Sequence, residues 1–408
     1  MVSQESEKLQ ALRQEVCTWL KENLPEGWGT PDYVRPPADT AEAYAAGKAW
    51  QKKLYDAGYT GFGVPKEYGG IERSREEQAV IREEMSRTGT PPGAGGLGNL
   101  AVAALLRHGT EEQKKRWLPK IMSGEETWCE CFSEPNAGSD LASLQKSAVR
   151  DGDDWVINGQ SVWTSGAKFA DWGLCPAVTE PDAPRHRNLS FFFFDCKSPG
   201  FTVRPLRQMT DDAQFSETFF DDVRVPSFNI IGEQGRGWYV AMTVLEAERG
   251  GGIRIADAVS PSAARAVTTL GGVENLVELA KNTKRRGKTA WEDPLFRQRI
   301  AQLAIENEAI RAYGARLRVM AQRRQTTGNE QSLTSVYRRE RGQRQANLTA
   351  EIMGAKIQFM RGAERALNNG SWTYTFLRCR GNTIETGTTE INRNIIAERI
   401  LGLPRTRR

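Results

Sequence analysis

The chain has 408 residues, of which 39% are hydrophobic and 26% are charged. This length exceeds what one small core can bury, so two or three domains of a soluble globular protein are expected. The net charge of +5 is mild and names no nucleic-acid partner. No apolar run reaches the roughly 18 residues of a membrane span. The N-terminus also lacks the basic and apolar regions of a signal peptide.

Six cysteines are scattered along the chain, and only Cys129 and Cys131 lie close together in sequence. No histidine or third cysteine accompanies this pair, so metal ligation is not expected. Buried free thiols in a reducing compartment explain the pattern more simply. The sequence therefore predicts a cytosolic (cytoplasmic) protein without a metal site.

Residues 1–124 are predicted to form a helical domain, in which Leu9, Leu12 and Val16 recur at helical spacing. The stretch Thr88–Gly98 is too rich in glycine and proline to be helical. Further helices are predicted over Ala41–Leu54, Glu76–Met85, Asn99–Arg107 and Glu111–Met122.

Residues 125–234 change to short β-prone runs between turn residues, which predicts an antiparallel barrel or sandwich. The run Ser190–Phe194 is apolar on both faces and should be buried on both sides. Residues 235–408 return to helical periodicity. There, one helix should bury Trp238, Met242 and Leu245, a later helix should span Leu348–Met360, and the last helix should present Ile391, Ile395, Ile396 and Leu401.

Two stretches of the middle region, residues 131–140 and residues 158–166, carry small residues where a backbone must approach another group closely. A turn and the short strand Trp155–Ile157 separate them. Free N–H and hydroxyl groups followed by Trp163 would suit a flat ring with a polar edge. Ordinary β-hairpins show the same spacing, so the two stretches alone leave both interpretations open.

In combination, these stretches resemble the two flavin motifs of the acyl-CoA dehydrogenase family. The resemblance continues along nearly the whole chain, in Gly61–Gly70, Gly109–Gln113, Asp222–Pro226, Gly232–Trp238, Gly387–Ile391 and Ile400–Gly402. It implies an α+β fold with an N-terminal helical domain, a middle β domain and a C-terminal four-helix bundle. It also implies FAD as cofactor and the α,β-dehydrogenation of an acyl-CoA thioester.

In this family a carboxylate removes the α-proton while the β-hydrogen leaves as hydride to flavin N5. The resemblance places the usual base at Thr386, whose neutral hydroxyl cannot deprotonate that carbon at pH 7. Glu248 is the preferred replacement, because isovaleryl-type and some sterol side-chain members use a Glu at this helical position. A structural ion pair is the alternative role for Glu248. Glu385 is a second candidate base, although neighbouring side chains of an extended loop point apart.

The resemblance also implies which residues contact the ligands. Substrate contacts are expected from Ser139, Glu246, Arg249 and Gly387. Cofactor contacts are expected from Glu130, Phe132, Ser133, Ser139, Trp163, Thr164, Ser165, Gln358, Arg361, Gly362, Thr388 and Glu390.

Two departures from the family pattern put a homotetramer with four FAD in doubt. Residues 282–288 lack the usual Phe-Gly, and Arg361 replaces a glycine. A homo-oligomer and a heteromer with a related subunit both stay open, with electron-transferring flavoprotein as the implied electron acceptor. Small residues in Thr88–Gly98 would leave room for a bulky or ring-bearing acyl group, although a plain surface loop explains them equally well. A flavin-dependent oxidase or monooxygenase, or a non-catalytic subunit, is the alternative function.

Overall fold

A computed structural model describes residues 6–30, 33, 36, 39–93, 96–248, 272–323, 325 and 329–405. These residues belong to two compact units, which are Met1–Arg207 with Asp212–Val259, and Gln208–Asp211 with Ser260–Arg408. The helices are α1 (Glu7–Asn23), α2 (Ala41–Asp56), α3 (Arg75–Thr88), α4 (Gly98–His108), α5 (Glu111–Ser123), α6 (Gly237–Glu248), α7 (Val273–Asn282), α8 (Pro294–Gln322), α9 (Gln331–Met353), α10 (Ser371–Arg378) and α11 (Thr389–Ile395).

The strands of the first unit are β1 (Trp128–Glu130), β2 (Ser147–Asp151), β3 (Asp154–Ser165), β4 (Trp172–Val178), β5 (Leu189–Asp195), β6 (Phe201–Leu206) and β7 (Phe215–Pro226). The second unit adds a short hairpin of β8 (Lys284–Arg285) and β9 (Lys288–Thr289). Residues 235–248 lie in the first unit, and the boundaries at 124 and 234 stay predictions.

Local signals fix the N-terminal helices where the sequence predicts them. Helices α3 and α5 each begin with a capping box, formed by Ser74 with Glu77 and by Thr110 with Gln113. Helix α3 ends at Thr88, and α4 begins at Gly98. The described part of the intervening glycine- and proline-rich stretch is not helical, as predicted.

The strands of the middle region form one mixed sheet in the order β1-β4-β2-β3-β7-β6, with β5 paired to β4. The pairs β2–β3, β3–β7, β4–β5 and β6–β7 are antiparallel, in agreement with the prediction. The pairs β1–β4 and β2–β4 are parallel. The parallel pairs arise because the hairpin β2–β3 lies between β1 and β4 in sequence, a non-local feature that strand periodicity does not encode.

Strand β5 is buried on both faces, as its run of four phenylalanines predicts. Gly173 of β4 lies opposite Phe194 in the antiparallel register. A Cβ added at Gly173 would be 2.1 Å from Cε1 of the Phe194 ring. The Phe194 ring therefore occupies the space in which a side chain at residue 173 would lie.

Helix α6 buries a different face from the predicted one. Its buried residues are Gly237, Val240, Ala241 and Val244, whereas Trp238, Met242 and Leu245 are only half-buried. The reason is close approach, because a Cβ at Gly237 would be 2.3 Å from the carbonyl carbon of Ser190 on β5. The small residues therefore face the sheet and the large ones lie at the margins of the contact.

In the second unit, helices α7, α8 and α9 share a buried cluster that includes Leu276, Leu303 and Leu348. Helix α9 ends at Met353, earlier than predicted, because the chain turns at Gly354 with φ of +58°. Leu401 lies beyond the last helix and is 64% exposed, so it does not extend the predicted apolar stripe.

All six cysteines are free thiols, and Cys129, Cys131, Cys175 and Cys379 are buried, as predicted for structural thiols. In the described ranges, no cluster of histidine, cysteine and acidic residues could hold a metal ion. None of the described helices combines the length and the apolarity needed to cross a membrane.

We predict that Gly173→Ala lowers the free energy of unfolding by about 1–3 kcal/mol, because the added methyl group overlaps the buried Phe194 ring. Thermal or denaturant unfolding of the purified protein measures the change. Gly342→Ala is the control, since a Cβ in the middle of α9 has no neighbour within 4 Å. That substitution should be neutral or stabilising by about 1 kcal/mol. Equal stability of Gly173→Ala and the wild type would contradict the packing described for β4 and β5.

Candidate active site

The two small-residue stretches of the middle region meet in the structure. The first stretch directly follows β1, and the second ends β3. The Val162 N–H donates a hydrogen bond to the Ser133 carbonyl at 2.8 Å. This contact lies outside the regular strand pairing and places Phe132 and Ser133 beside the residues that precede Trp163. The sequence predicted both stretches, and the structure brings them together.

Trp163 lies in an irregular part of β3. The register between β3 and β7 shifts between Ser161 and Thr164, and Trp163 has φ of +63°. Its side chain is 59% exposed and meets Phe215 edge-on, with ring centroids 6.1 Å apart. A β-bulge turns a side chain away from the strand's regular direction. The bulge thus leaves a large flat indole at the surface beside the first stretch.

Thr164 points the other way. Its side chain is fully buried, and its hydroxyl lies 3.4 Å from the hydroxyl of Thr218 on β7. The Thr164 hydroxyl therefore faces the interior of the sheet. Ser165 is half-buried. A sequence motif does not show on which side of a strand a hydroxyl lies, and the cofactor contact from Thr164 stays a prediction.

A buried carboxylate holds the turn of the first stretch. The Glu134 carboxylate accepts hydrogen bonds from the backbone N–H groups of Gln145 and Lys146, both at 2.7 Å. Its own main chain forms a bridge with Ala137 at 3.0 and 3.1 Å. The turn after it leaves Gly138 and Ser139 exposed. Phe132 is buried against Phe191, with ring centroids 5.7 Å apart.

These groups fit the flavin ring of FAD. The exposed indole of Trp163 offers an apolar face, and the hydroxyls of Ser133 and Ser165 with the nearby main chain offer a polar edge. A planar conjugated ring with hydrogen-bonding atoms along one side needs both features. The exposed Ser139 and the open space around Gly138 would admit the polar remainder of the cofactor.

Two carboxylates lie close to this surface. Glu130 ends β1 and pairs with Leu174. Burial raises the pKa of Glu130 well above its usual value, and the negative charge of Glu248 raises it further. Glu248 is the last residue of α6, and it is half-buried. The preceding Ala247 packs against the core cluster that includes Phe132. Glu248 thus lies within electrostatic reach of the end of β1.

The pairing of Glu130 with Glu248 is absent from the sequence predictions. Glu130 was expected to contact the cofactor, and Glu248 to act as the base. Strand and helix lie far apart in sequence, so no local pattern could pair them. The one available signal was a glutamate at the end of a buried strand, which is unusual because a carboxylate is seldom buried without a partner.

In the second unit, the loop at Thr386 carries no free carboxylate. Thr386 has φ of +52°, and the Arg339 guanidinium donates hydrogen bonds to its hydroxyl and to the Gly387 carbonyl. The Asn392 side-chain amide also donates to the Gly387 carbonyl, at 2.8 Å. The neutral hydroxyl expected at this position is therefore fixed beside an arginine.

Glu385 forms an ion pair with Arg378, with Oε2 2.6 Å from Nη2. The side chain of Arg378 is 9% exposed and that of Glu385 is 26% exposed. Removal of either partner of such a pair would leave the other charge without compensation in a largely buried place. This contact favours a structural role for Glu385.

The other residues predicted to contact the cofactor or the substrate differ in their surroundings. Thr388 caps α11, because its hydroxyl accepts a hydrogen bond from the Ile391 N–H at 3.1 Å. The Arg361 guanidinium lies 4.0 Å from the centre of the Tyr374 ring. Glu246 lies 3.8 Å from Arg107. Gln358, Gly362 and Glu390 are exposed, and Arg249 lies outside the described residues.

Family models match this chain in three consecutive segments. Residues 6–125 match the acyl-CoA dehydrogenase N-terminal domain, residues 129–223 the middle domain and residues 235–401 the C-terminal domain. Acyl-CoA dehydrogenase IpdE1 of Mycolicibacterium smegmatis is 37% identical over 419 aligned residues, which cover 98% of this chain and 98% of that protein.

Two solved structures are similar over full length. The Tcur3481-Tcur3483 steroid ACAD has a TM-score of 0.77 and 30% identity, with 100% of each chain covered. The ChsE4-ChsE5 complex from Mycobacterium tuberculosis has a TM-score of 0.75 and 26% identity, again with 100% of each chain covered.

We predict that Glu130→Gln changes the pH dependence of stability. Above the usual value of 4.5, the folded protein keeps a proton on Glu130 that the unfolded chain has released. Stability therefore falls as pH rises through the interval between 4.5 and the raised pKa, by up to about 1.4 kcal/mol per pH unit. Glu130→Gln should lack this loss of stability. The difference between its melting temperature and that of the wild type should therefore shift in favour of the variant as pH rises.

Glu248→Gln is the matched variant for this measurement. It removes the neighbouring negative charge, so it should lower the pKa of Glu130 and narrow the pH interval over which stability is lost. Parallel stability curves for wild type and Glu130→Gln between pH 5 and 8 would contradict the assignment of a protonated Glu130.

Proposed function

Because this chain belongs to the acyl-CoA dehydrogenase family, we propose that Glu248 is the base with which it removes the α-proton of its acyl-CoA substrate. The protein is an FAD-dependent oxidoreductase that acts on acyl-CoA thioesters. FAD, when bound, accepts the β-hydrogen as hydride. The question for this chain is which side chain takes the α-proton, since the loop position holds Thr386 instead of a carboxylate.

The observation that carries the proposal is the position of Glu248 at the end of α6, where Ala247 packs against the core cluster that includes Phe132 and the charge of Glu248 acts on Glu130. Glu130 ends the strand that leads into Phe132 and Ser133, so Glu248 lies near the surface that fits the flavin. A base must lie close to the proton that it removes, and that proton must lie near the hydride acceptor. The position of Glu248 in the first unit supports this role.

The two carboxylates also influence each other's charge. Two neighbouring carboxylates do not both ionise readily, because each negative charge raises the pKa of the other. The pKa of Glu130 is raised well above its usual value, first by burial and then by the charge of Glu248, so Glu130 holds a proton. Glu248 is the other member of the pair, and its carboxylate is the group that we propose as the acceptor of the α-proton. Removal of the α-proton also requires stabilisation of the developing negative charge on the thioester oxygen, for which main-chain N–H groups of the site are suited.

The identity of the acyl group and of the partners is inferred from the relatives. We propose a bulky or ring-bearing acyl group, supported by the similar steroid ACAD structure and by the small residues at 88–98. A heteromer with a related subunit is supported by the similar ChsE4-ChsE5 complex and by the unusual Arg361, which stacks on Tyr374. Electron-transferring flavoprotein is the proposed electron acceptor. Six free thiols support a cytoplasmic location.

We predict that Glu248→Gln abolishes reduction of the bound flavin by acyl-CoA. The purified protein is titrated anaerobically with a panel of acyl-CoA thioesters, including ring-bearing ones, while the flavin absorbance is followed. The flavin absorbance of the wild type should fall when its preferred thioester is added. The rate in Glu248→Gln should fall by at least about 10²–10⁴-fold, the usual contribution of a positioned base. Glu308→Gln, an exposed glutamate paired with Arg311, is the control and should bleach like wild type.

Glu385→Gln separates the two candidate bases. With Glu248 as base, this variant should bleach within about tenfold of wild type, since Glu385 only neutralises Arg378. Loss of bleaching in Glu385→Gln, together with its retention in Glu248→Gln, would assign the base to the loop instead. If the flavin of the wild type bleaches only when the protein is co-purified with a related subunit, the chain either is a non-catalytic subunit or needs that subunit for activity. Rapid reoxidation by O₂ would indicate an oxidase.

A further inference from the structure

Lys146 is a lysine buried inside the sheet domain. It is 1% exposed, and its Nζ donates hydrogen bonds to the Cys131 carbonyl at 2.8 Å and to the Ser161 hydroxyl at 2.6 Å. Both acceptors are neutral oxygens, and the Phe220 ring centre lies 5.3 Å from Nζ. Removing an ammonium group from water is costly, so a buried lysine with neutral acceptors needs a reason.

The two acceptors belong to the two stretches that form the candidate flavin site. Cys131 immediately precedes Phe132, and Ser161 precedes Val162, whose N–H bonds to Ser133. The Ser161 hydroxyl also lies 3.2 Å from the Cys131 carbonyl. A single ammonium group therefore ties both stretches together from the interior side of the sheet.

The Cys131 carbonyl and the Phe132 N–H are the two ends of one peptide group. A cation bound to the carbonyl polarises that group and makes its N–H a stronger hydrogen-bond donor. Within the part of the chain that the structure describes, the Phe132 N–H has no protein acceptor. It is thus available to a ligand at the surface that fits the flavin.

A glycine of the second stretch makes room for this lysine. Gly159 has φ of +144°, and a Cβ there would be 2.9 Å from both Cα and Cγ of Lys146. The stem of Lys146 thus occupies the space that any other residue at 159 would fill. The register irregularity between Ile157 and Gly159 on β3 lies at the same point. Backbone and side chain together fix the position of the ammonium group.

We infer that Lys146 is a positioning residue that raises the electron affinity of the bound FAD, through a fixed positive charge behind the Phe132 peptide. Reduction adds electron density to the flavin ring, so a fixed cation and a strengthened N–H donor favour the reduced form. The inference rests on the proposed placement of FAD against Phe132. It is independent of Glu248, because the redox equilibrium of the flavin requires no acyl-CoA.

The test is the midpoint potential of the holoprotein, measured by equilibration with a reference dye in the absence of acyl-CoA. Lys146→Met keeps the length of the side chain and removes the charge. We expect the preference of the protein for reduced over oxidised FAD to fall at least tenfold, which is about 30 mV for a two-electron couple. Lys52→Met is the control, because it makes the same substitution at an exposed lysine, which pairs with Asp56 on α2. Its potential should stay within about 15 mV of wild type, a threefold change.

Ser161→Asp is the second variant, in case Lys146→Met yields no folded holoprotein. It leaves Lys146 in place and sets a carboxylate next to the ammonium group, so it should lower the potential in the same direction. A potential unchanged from wild type in either charge variant, with FAD still bound, would overturn the inference. If Glu248 is not the base, the potentials measured here are unaffected. A changed potential in the charge variants, together with normal flavin bleaching in Glu248→Gln, would support the role of Lys146 and not that of Glu248.

Discussion

The negative charge of Glu248 beside the carboxyl group of Glu130 is the interaction on which the proposed chemistry depends. It requires α6 to lie tightly against the sheet, and small residues make this possible. Gly237 approaches the backbone of Ser190, and Ala241 is fully buried. The buried face of the helix thereby sets the position of its last residue. A larger residue at Gly237 would move Glu248 away from the strand that ends at Glu130.

The sheet supplies the second requirement, a surface shaped for a flat cofactor. Three buried polar groups hold that surface from behind. Glu134 binds the backbone of Gln145 and Lys146, the Lys146 ammonium binds Cys131 and Ser161, and Thr164 meets Thr218. Buried polar groups of this kind are costly unless they are satisfied, and satisfied networks specify a single arrangement of the chain. The exposed Trp163 depends on that fixed arrangement.

Much of the fold could be predicted because its signals are local. Capping residues set the starts of α3 and α5, and the apolar run of β5 predicts that this strand is buried. The buried face of α6 could not be predicted from hydrophobicity, since close approach favours glycine and alanine over tryptophan and leucine. The parallel pairing of β1 with β4 was equally hidden, because it depends on residues far apart in sequence.

The candidate site also has a part that could be predicted from the sequence and a part that could not. Resemblance to a family pointed to the two stretches, which the structure brings together, and it suggested Glu248 as the base, which stays a prediction. It could not show that the Thr164 hydroxyl faces the interior, that Glu385 pairs with Arg378, or that Lys146 lies behind the first stretch. Each of these depends on which side of a strand or loop a side chain occupies after folding. A lysine in a β-prone segment is ordinarily read as a solvated residue, so its burial gives no sequence signal.

The most direct test of Glu248 as the base separates proton removal from hydride transfer. A thioester with sulfur in place of the β-carbon has no β-hydrogen to give up, so only its α-proton can exchange. The holoprotein is incubated with such a thioester in D₂O, and deuterium at the α-carbon is followed by mass spectrometry. The account predicts rapid exchange in wild type and in Glu385→Gln, and exchange at the uncatalysed rate in Glu248→Gln. Exchange in Glu248→Gln as fast as in wild type would contradict it.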